Sequence, residues 1–155
     1  MKARVLLIPD LDFTGTFPTA QASTTKGKWV KLNATTYEII DDFSYFNVFS
    51  VQAISDPSDQ MDQSATVNFK ASNFTPFSNP DNSYSGTDRE VDRTQAYDYF
   101  ADYVNTLGDN VTLTVSAVPS ATMYGQGEVF PFKMIKVQVT STATTGKLQF
   151  EFAQK

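Results

Sequence analysis

The chain has 155 residues and a formal net charge of −5; 41% of the residues are hydrophobic, 14% aromatic and 19% charged. That is the size and composition of one folded domain able to bury a core without metal or disulfide staples. Histidine and cysteine are both absent, which excludes a Ser-His-Asp triad, a thiol nucleophile, a CxxC redox pair, a zinc finger, a thiolate-held iron–sulfur cluster and a histidine-ligated haem, and the acidic balance repels a nucleic-acid backbone.

The chain opens on Met1-Lys2-Ala3-Arg4 and the apolar run Val5-Leu6-Leu7-Ile8, which Pro9-Asp10 ends. This run is too short for the core of an export signal. No stretch approaches the roughly 20 apolar residues of a spanning helix. Neither export nor a membrane is therefore expected. The later part of residues 1–27 is small, polar and without period. It reads as an N-terminal arm that orders when something covers it, ahead of a folded domain over residues 28–155. An ordinary edge strand followed by a loop fits the same residues, and both readings stay open.

From Lys28 onward the signal is alternation with a period of two. Residues 28–32 and 37–40 are short strand candidates. Phe49, Val51 and Ala53 alternate with Ser50 and Gln52, and residues 65–72 alternate without a break. Between these two runs lies the turn cluster Asp56-Pro57-Ser58-Asp59, which predicts a hairpin with a long polar tip. Val111, Leu113, Val115 and Ala117 alternate with hydroxyl residues, as do Ile135, Val137 and Val139 with Lys136, Gln138 and Thr140. Leu148, Phe150 and Phe152 form the last such run. The loop at 141–146 ends in Gly146 and predicts a second hairpin. One face apolar and one face polar is antiparallel-sheet behaviour. The fold class is mainly β: an antiparallel β-sandwich or jelly roll of about seven strands.

One helix is expected within this pattern. Ala96, Phe100, Tyr103, Val104 and Leu107 follow helical spacing, Thr87-Asp88-Arg89-Glu90 has the form of a capping box, and Gly108 stands where a C-cap belongs. The helix falls within 88–107. Before it, residues 74–86 are rich in proline, asparagine and serine and read as a long exposed loop.

Several constellations bear on chemistry. Asp56, Asp59 and Asp62 are three apart on a turn, but the spacing does not match a calcium loop, so solvated turn carboxylates are the better reading. Asp10 with Asp12, and Asp41 with Asp42, are equally unspecific. Gly125-Gln126-Gly127 lacks the helix and third glycine of a dinucleotide loop and reads as a turn before a strand. Trp29 and Tyr124 suit stacking on a sugar ring, while a lone tryptophan in a strand is more often core. Lys136 and Lys147 fall on polar strand faces and are expected in water. No cofactor and no metal is expected.

The order of the parts resembles the small β-sandwich structural proteins of tailed-bacteriophage virions. The residues that carry this are the apolar strand 49–54, the polar turn 56–63, the strand 65–70 and the dipeptide Ser72-Asn73. The closing strand Ile135-Lys136-Val137-Gln138-Val139-Thr140, its Thr/Gly-rich turn and the final strand 147–152 complete it. The resemblance covers about half the chain and is one of texture. It implies a virion localisation and a non-enzymatic role such as capsid decoration or auxiliary protein, or else a neck or tail component. It also implies partners such as the major capsid protein or other virion proteins, and copies arrayed on a lattice or as a homo-oligomer. On the polar loops, Phe13, Phe17, Phe74 and Phe77 are the candidate partner anchors, because exposed aromatic groups are typical of interface centres. The competing reading is that these rings staple their loops to their own core. A carbohydrate- or receptor-binding module using Trp29 is the rival class.

Overall fold

A computed structural model of the chain describes residues 4–18, 27–43, 48–73, 100–105, 107–129 and 132–154. These form two antiparallel sheets packed as a β-sandwich. The eleven strands are β1 (Arg4–Leu7), β2 (Leu11–Asp12), β3 (Val30–Lys31), β4 (Thr36–Asp42), β5 (Val48–Ser55), β6 (Ala65–Ser72), β7 (Ala101–Asp102), β8 (Thr112–Val115), β9 (Ala121–Val129), β10 (Met134–Ser141) and β11 (Lys147–Gln154).

The first sheet runs β1-β11-β5-β9, with β2 also on β11. β1 and β2 take opposite ends of the same flank of β11, so they form one edge strand interrupted at 8–10. The second sheet runs β3-β4-β10-β6-β7, with β8 also on β6. β7 and β8 likewise share one flank of β6 and form an edge strand interrupted at 103–111.

The alternation in sequence becomes the two faces of each sheet. Leu148, Phe150 and Phe152 of β11 and Val51 and Ala53 of β5 point inward. They meet Tyr37 and Ile39 of β4, Val137 and Val139 of β10, and Val67 and Phe69 of β6. Edge-to-face ring pairs tie the layers: Phe152 lies 5.4 Å from Phe43 and 6.1 Å from Phe69, centroid to centroid. Outward rows are polar at one end of the second sheet, where Thr36, Thr140, Thr66 and Thr114 stand in register across four strands.

Three expectations are corrected here. The pairs β5/β6 and β10/β11 are not hairpins, because each pair splits between the two sheets. Their loops instead cross the sandwich at one end and lock together. Asp62 accepts hydrogen bonds from Thr144 N, Thr144 Oγ1 and Thr145 N, at 2.8, 2.7 and 3.2 Å. Ser141 Oγ donates to Ser64 O at 2.8 Å, and Gly146, at a φ of 92°, packs against the backbone of Gln60 and Met61. Alternation fixes which way a side chain faces, and crossing buries both inward faces where a hairpin would leave one sheet uncovered.

The expected helix is the second correction. Its segment 88–99 lies outside the described residues, but Ala101–Asp102 is strand β7 and Val104 bridges Asn110. The chain has no helix among the described residues. Tyr103 and Val111 gain sheet hydrogen bonds, Tyr103 N to Phe69 O at 2.9 Å and Val111 N to Tyr103 O at 3.0 Å, and this long-range pairing overrides the helical spacing. Third, Gly125-Gln126-Gly127 is no turn. It lies inside β9, where two extra residues form a bulge opposite Phe49 and Ser50, and a side chain at Gly125 would strike that of Ser50.

Candidate interaction surface

The N-terminal segment bears directly on the sequence-derived anchors. Its described part, 4–18, lies on the sandwich through β1 and β2. Phe13 is buried in the core and meets the Tyr37 ring edge-on at 5.3 Å; Phe17, partly buried, meets the same ring at 5.2 Å. Phe13 N also donates to Gly146 O at 3.0 Å. These two rings therefore staple their loop to their own core. Phe74 and Phe77 lie outside the described residues.

Trp29 is also internal. Its side chain fills the gap between the sheets, 5.8 Å from the Phe150 ring, and its Nε1 donates to Pro9 O at 2.7 Å. A tryptophan so placed offers no face to a sugar. Tyr124 is half-buried against the core.

Asp12 and Asp56 act within their own turns, and Asp62 joins its loop to the loop at 141–146. Asp12 accepts from Thr14 N and Oγ1, Asp56 from Ser58 N and Oγ, and Asp62 from the 144–145 backbone and Thr144 Oγ1. Each carboxyl is held below its ordinary pKa, chiefly by the hydroxyl donor and then by the amide donors. Lys147, half-exposed, sits 3.7 Å from Asp59. Among the described residues no group of three or more acidic side chains is placed to hold a metal ion.

Lys136 departs from expectation: its side chain is only 3% exposed. Phe100 lies over it, with Nζ 4.5 Å from the ring centroid, and Glu38 faces it at 4.0 Å. Glu38 Oε1 accepts from Gln138 Nε2 at 2.8 Å, while its buried Oε2 accepts no hydrogen bond. Ile40 and Met134 form a second small apolar cluster with Phe100 on this outward face of the sheet. A polar position by alternation thus became an interior one, because the outward face is itself covered there. The pair is sealed from solvent and links the neighbouring strands β4 and β10 under the Phe100 ring.

The surface feature that remains is apolar. The exposed large hydrophobic residues among those described are Val104, Leu107, Val118 and Met123. Single exposed apolar side chains are ordinary. Here, however, all four fall within residues 104–123, which build the adjoining edges of the two sheets. Thr122 Oγ1 of β9 donates to Thr114 O of β8 at 3.1 Å and links the two strands.

The excursion at 103–111 projects from this side as a well-bonded turn. Asn105 N donates to Asp109 O at 2.9 Å, and Gly108, at a φ of 89°, donates from N to Asn105 O at 3.0 Å. Asn105 Oδ1 accepts from both Leu107 N and Asp109 N, at 3.0 and 2.9 Å. These bonds brace the described residues of the turn, where Leu107 is 77% exposed. Asn105, Gly108 and Asp109 are turn formers visible in the sequence; the helical spacing of Phe100 to Leu107 masked them.

No protein-family model matches the chain, and no curated protein matches it. Among solved structures, TmCBM61, a carbohydrate-binding module in complex with beta-1,4-galactotriose, is similar over 98% of this chain and 83% of its own, at 8% identity and a TM-score of 0.34.

Proposed function

We propose that the protein is a non-enzymatic docking module of a virion, a capsid decoration or auxiliary protein that stands on the capsid lattice and binds the major capsid protein or a neighbouring virion protein. The observation that carries docking is the concentration of exposed large apolar side chains in residues 104–123, with the Asn105-braced turn presenting Leu107. An apolar side chain on a hydrogen-bonded turn has less freedom to lose on binding than one on an unbraced loop. The strand–turn–strand texture of residues 49–73 and 135–152 supports the virion setting. On a lattice, many weak copies gain occupancy through multivalency.

The test is attachment. Particles purified from cells expressing the chain are expected to carry it at a copy number that matches the shell lattice; a number matching one ring points to the neck or tail instead. Leu107→Glu is expected to lower particle occupancy while leaving the melting temperature unchanged, because the side chain has no packing to lose. If no particle carries the protein, or if Leu107→Glu and Val104→Glu leave occupancy intact, the reading fails.

A further inference from the structure

The second half of the same side, strand β9, has the properties of an edge that pairs. β9 is nine residues long and, among the described residues, hydrogen-bonds to β5 on one flank only. The other sheet edges are blunted. β1 and β2 are interrupted at 8–10, β3 has two residues, and β7 and β8 are interrupted at 103–111. Short or broken edges of this kind keep a sheet from pairing with other chains. β9 contains no proline and no lysine, and its single charged residue is Glu128. The bulge leaves 121–125 as its regular stretch, and there Ala121, Met123 and Gly125 are exposed, Met123 at 72%.

We infer that β9 pairs antiparallel with β9 of a second copy of this chain, about a two-fold axis near Met123, so that two first sheets become one continuous sheet. The second copy is the occupant that this strand fits best. A two-fold axis sets a strand against its own sequence in reverse. With the axis at Met123, Met123 faces Met123 and Ala121 faces Gly125, and the regular stretch 121–125 carries no charged residue. Small residues meet small ones, the exposed thioethers cover each other, and no like charges stand face to face, although each copy carries a net charge of −5. The pairing shares a side and Met123 with the proposed particle contact, whose tip is Leu107, but it is read on the purified chain and stands or falls without any particle.

Sedimentation velocity of the purified chain, from about 1 to 100 µM, covers the range in which a small interface dimerises. The expected result is a shift from monomer to dimer with concentration. Ala121→Lys/Met123→Lys places like charges across the two-fold and is expected to hold the protein as monomer with an unchanged melting temperature. Because the chain has no cysteine, Met123→Cys is a clean reporter: mild oxidation is expected to yield a covalent dimer, whereas Leu107→Cys yields little. A wild-type monomer at every concentration gives the edge to another chain or to none and overturns the inference, while particle attachment by Leu107 would survive. A dimer indifferent to the double lysine variant, or cross-linked through position 107 rather than 123, overturns it as well.

Discussion

The buried pair Glu38–Lys136 gives the sharpest test of how this sandwich is held. Both side chains are nearly sealed, 4% and 3% exposed, with Nζ and Oε2 4.0 Å apart. At that separation the Coulombic attraction is about 4 kcal/mol for an effective dielectric of about 20. Desolvation of both ions consumes much of it, so the pair as a whole is close to neutral against an apolar replacement. Breaking it from one side is different. Lys136→Met leaves Glu38 buried with one hydrogen bond, from Gln138, and an unbonded Oε2. The expected loss is about 3–5 kcal/mol. For a chain of this length that lowers the melting temperature by about 10 °C, at roughly 2–4 °C per kcal/mol. Glu38→Gln removes the carboxylate that faces Lys136 Nζ at 4.0 Å and is expected to cost stability as well. The double variant Glu38→Gln/Lys136→Met removes both charges, keeps an acceptor for Gln138, and is expected within about 2 kcal/mol of wild type. Urea unfolding followed by circular dichroism on all four proteins closes the double-mutant cycle. Additive losses, or single variants costing less than about 1 kcal/mol, would refute the claim that this outward face is an interior.

Three further outcomes are expected. Gly146→Ala forces a side chain into the backbone of Gln60 and Met61 at a positive φ and should cost about 2–5 kcal/mol, whereas Gly108→Ala, at a similar φ with open space around it, should cost about 1–2 kcal/mol; equal losses in thermal melts would contradict the interlocked loops. Asp12, Asp56 and Asp62 have lowered pKa values in the fold, so their stabilisation is complete above the ordinary carboxylate value of 3.8 and is lost as pH falls through the folded values. Unfolding free energy should therefore drop on acidification below that value, and Asp62→Ala should flatten the acid limb while lowering the neutral plateau. Phe13→Ala empties a core position under Tyr37 and should cost about 3–5 kcal/mol in the purified chain; a loss under about 1 kcal/mol would return Phe13 to the list of surface anchors.

The alternating runs in this sequence determined the two-faced strands and the inward side chains, because a period of two is a property of the extended backbone itself. Leu148, Phe150 and Phe152, or Val67 and Phe69, point inward whichever strand lies beside them. What neighbours each strand was decided only in three dimensions. The sequence around Asp56 and Gly146 reads as two hairpins, yet both loops carry the chain to the opposite sheet. The spacing from Phe100 to Leu107 reads as a helix, yet pairing along β6 makes it an edge strand with a projecting turn. Lys136 reads as solvated, yet a covered outer face buries it beside Glu38. Local pattern carries the direction of a side chain; partnership between segments far apart in sequence depends on which surfaces remain to be covered, and that is settled only when the two sheets close on each other.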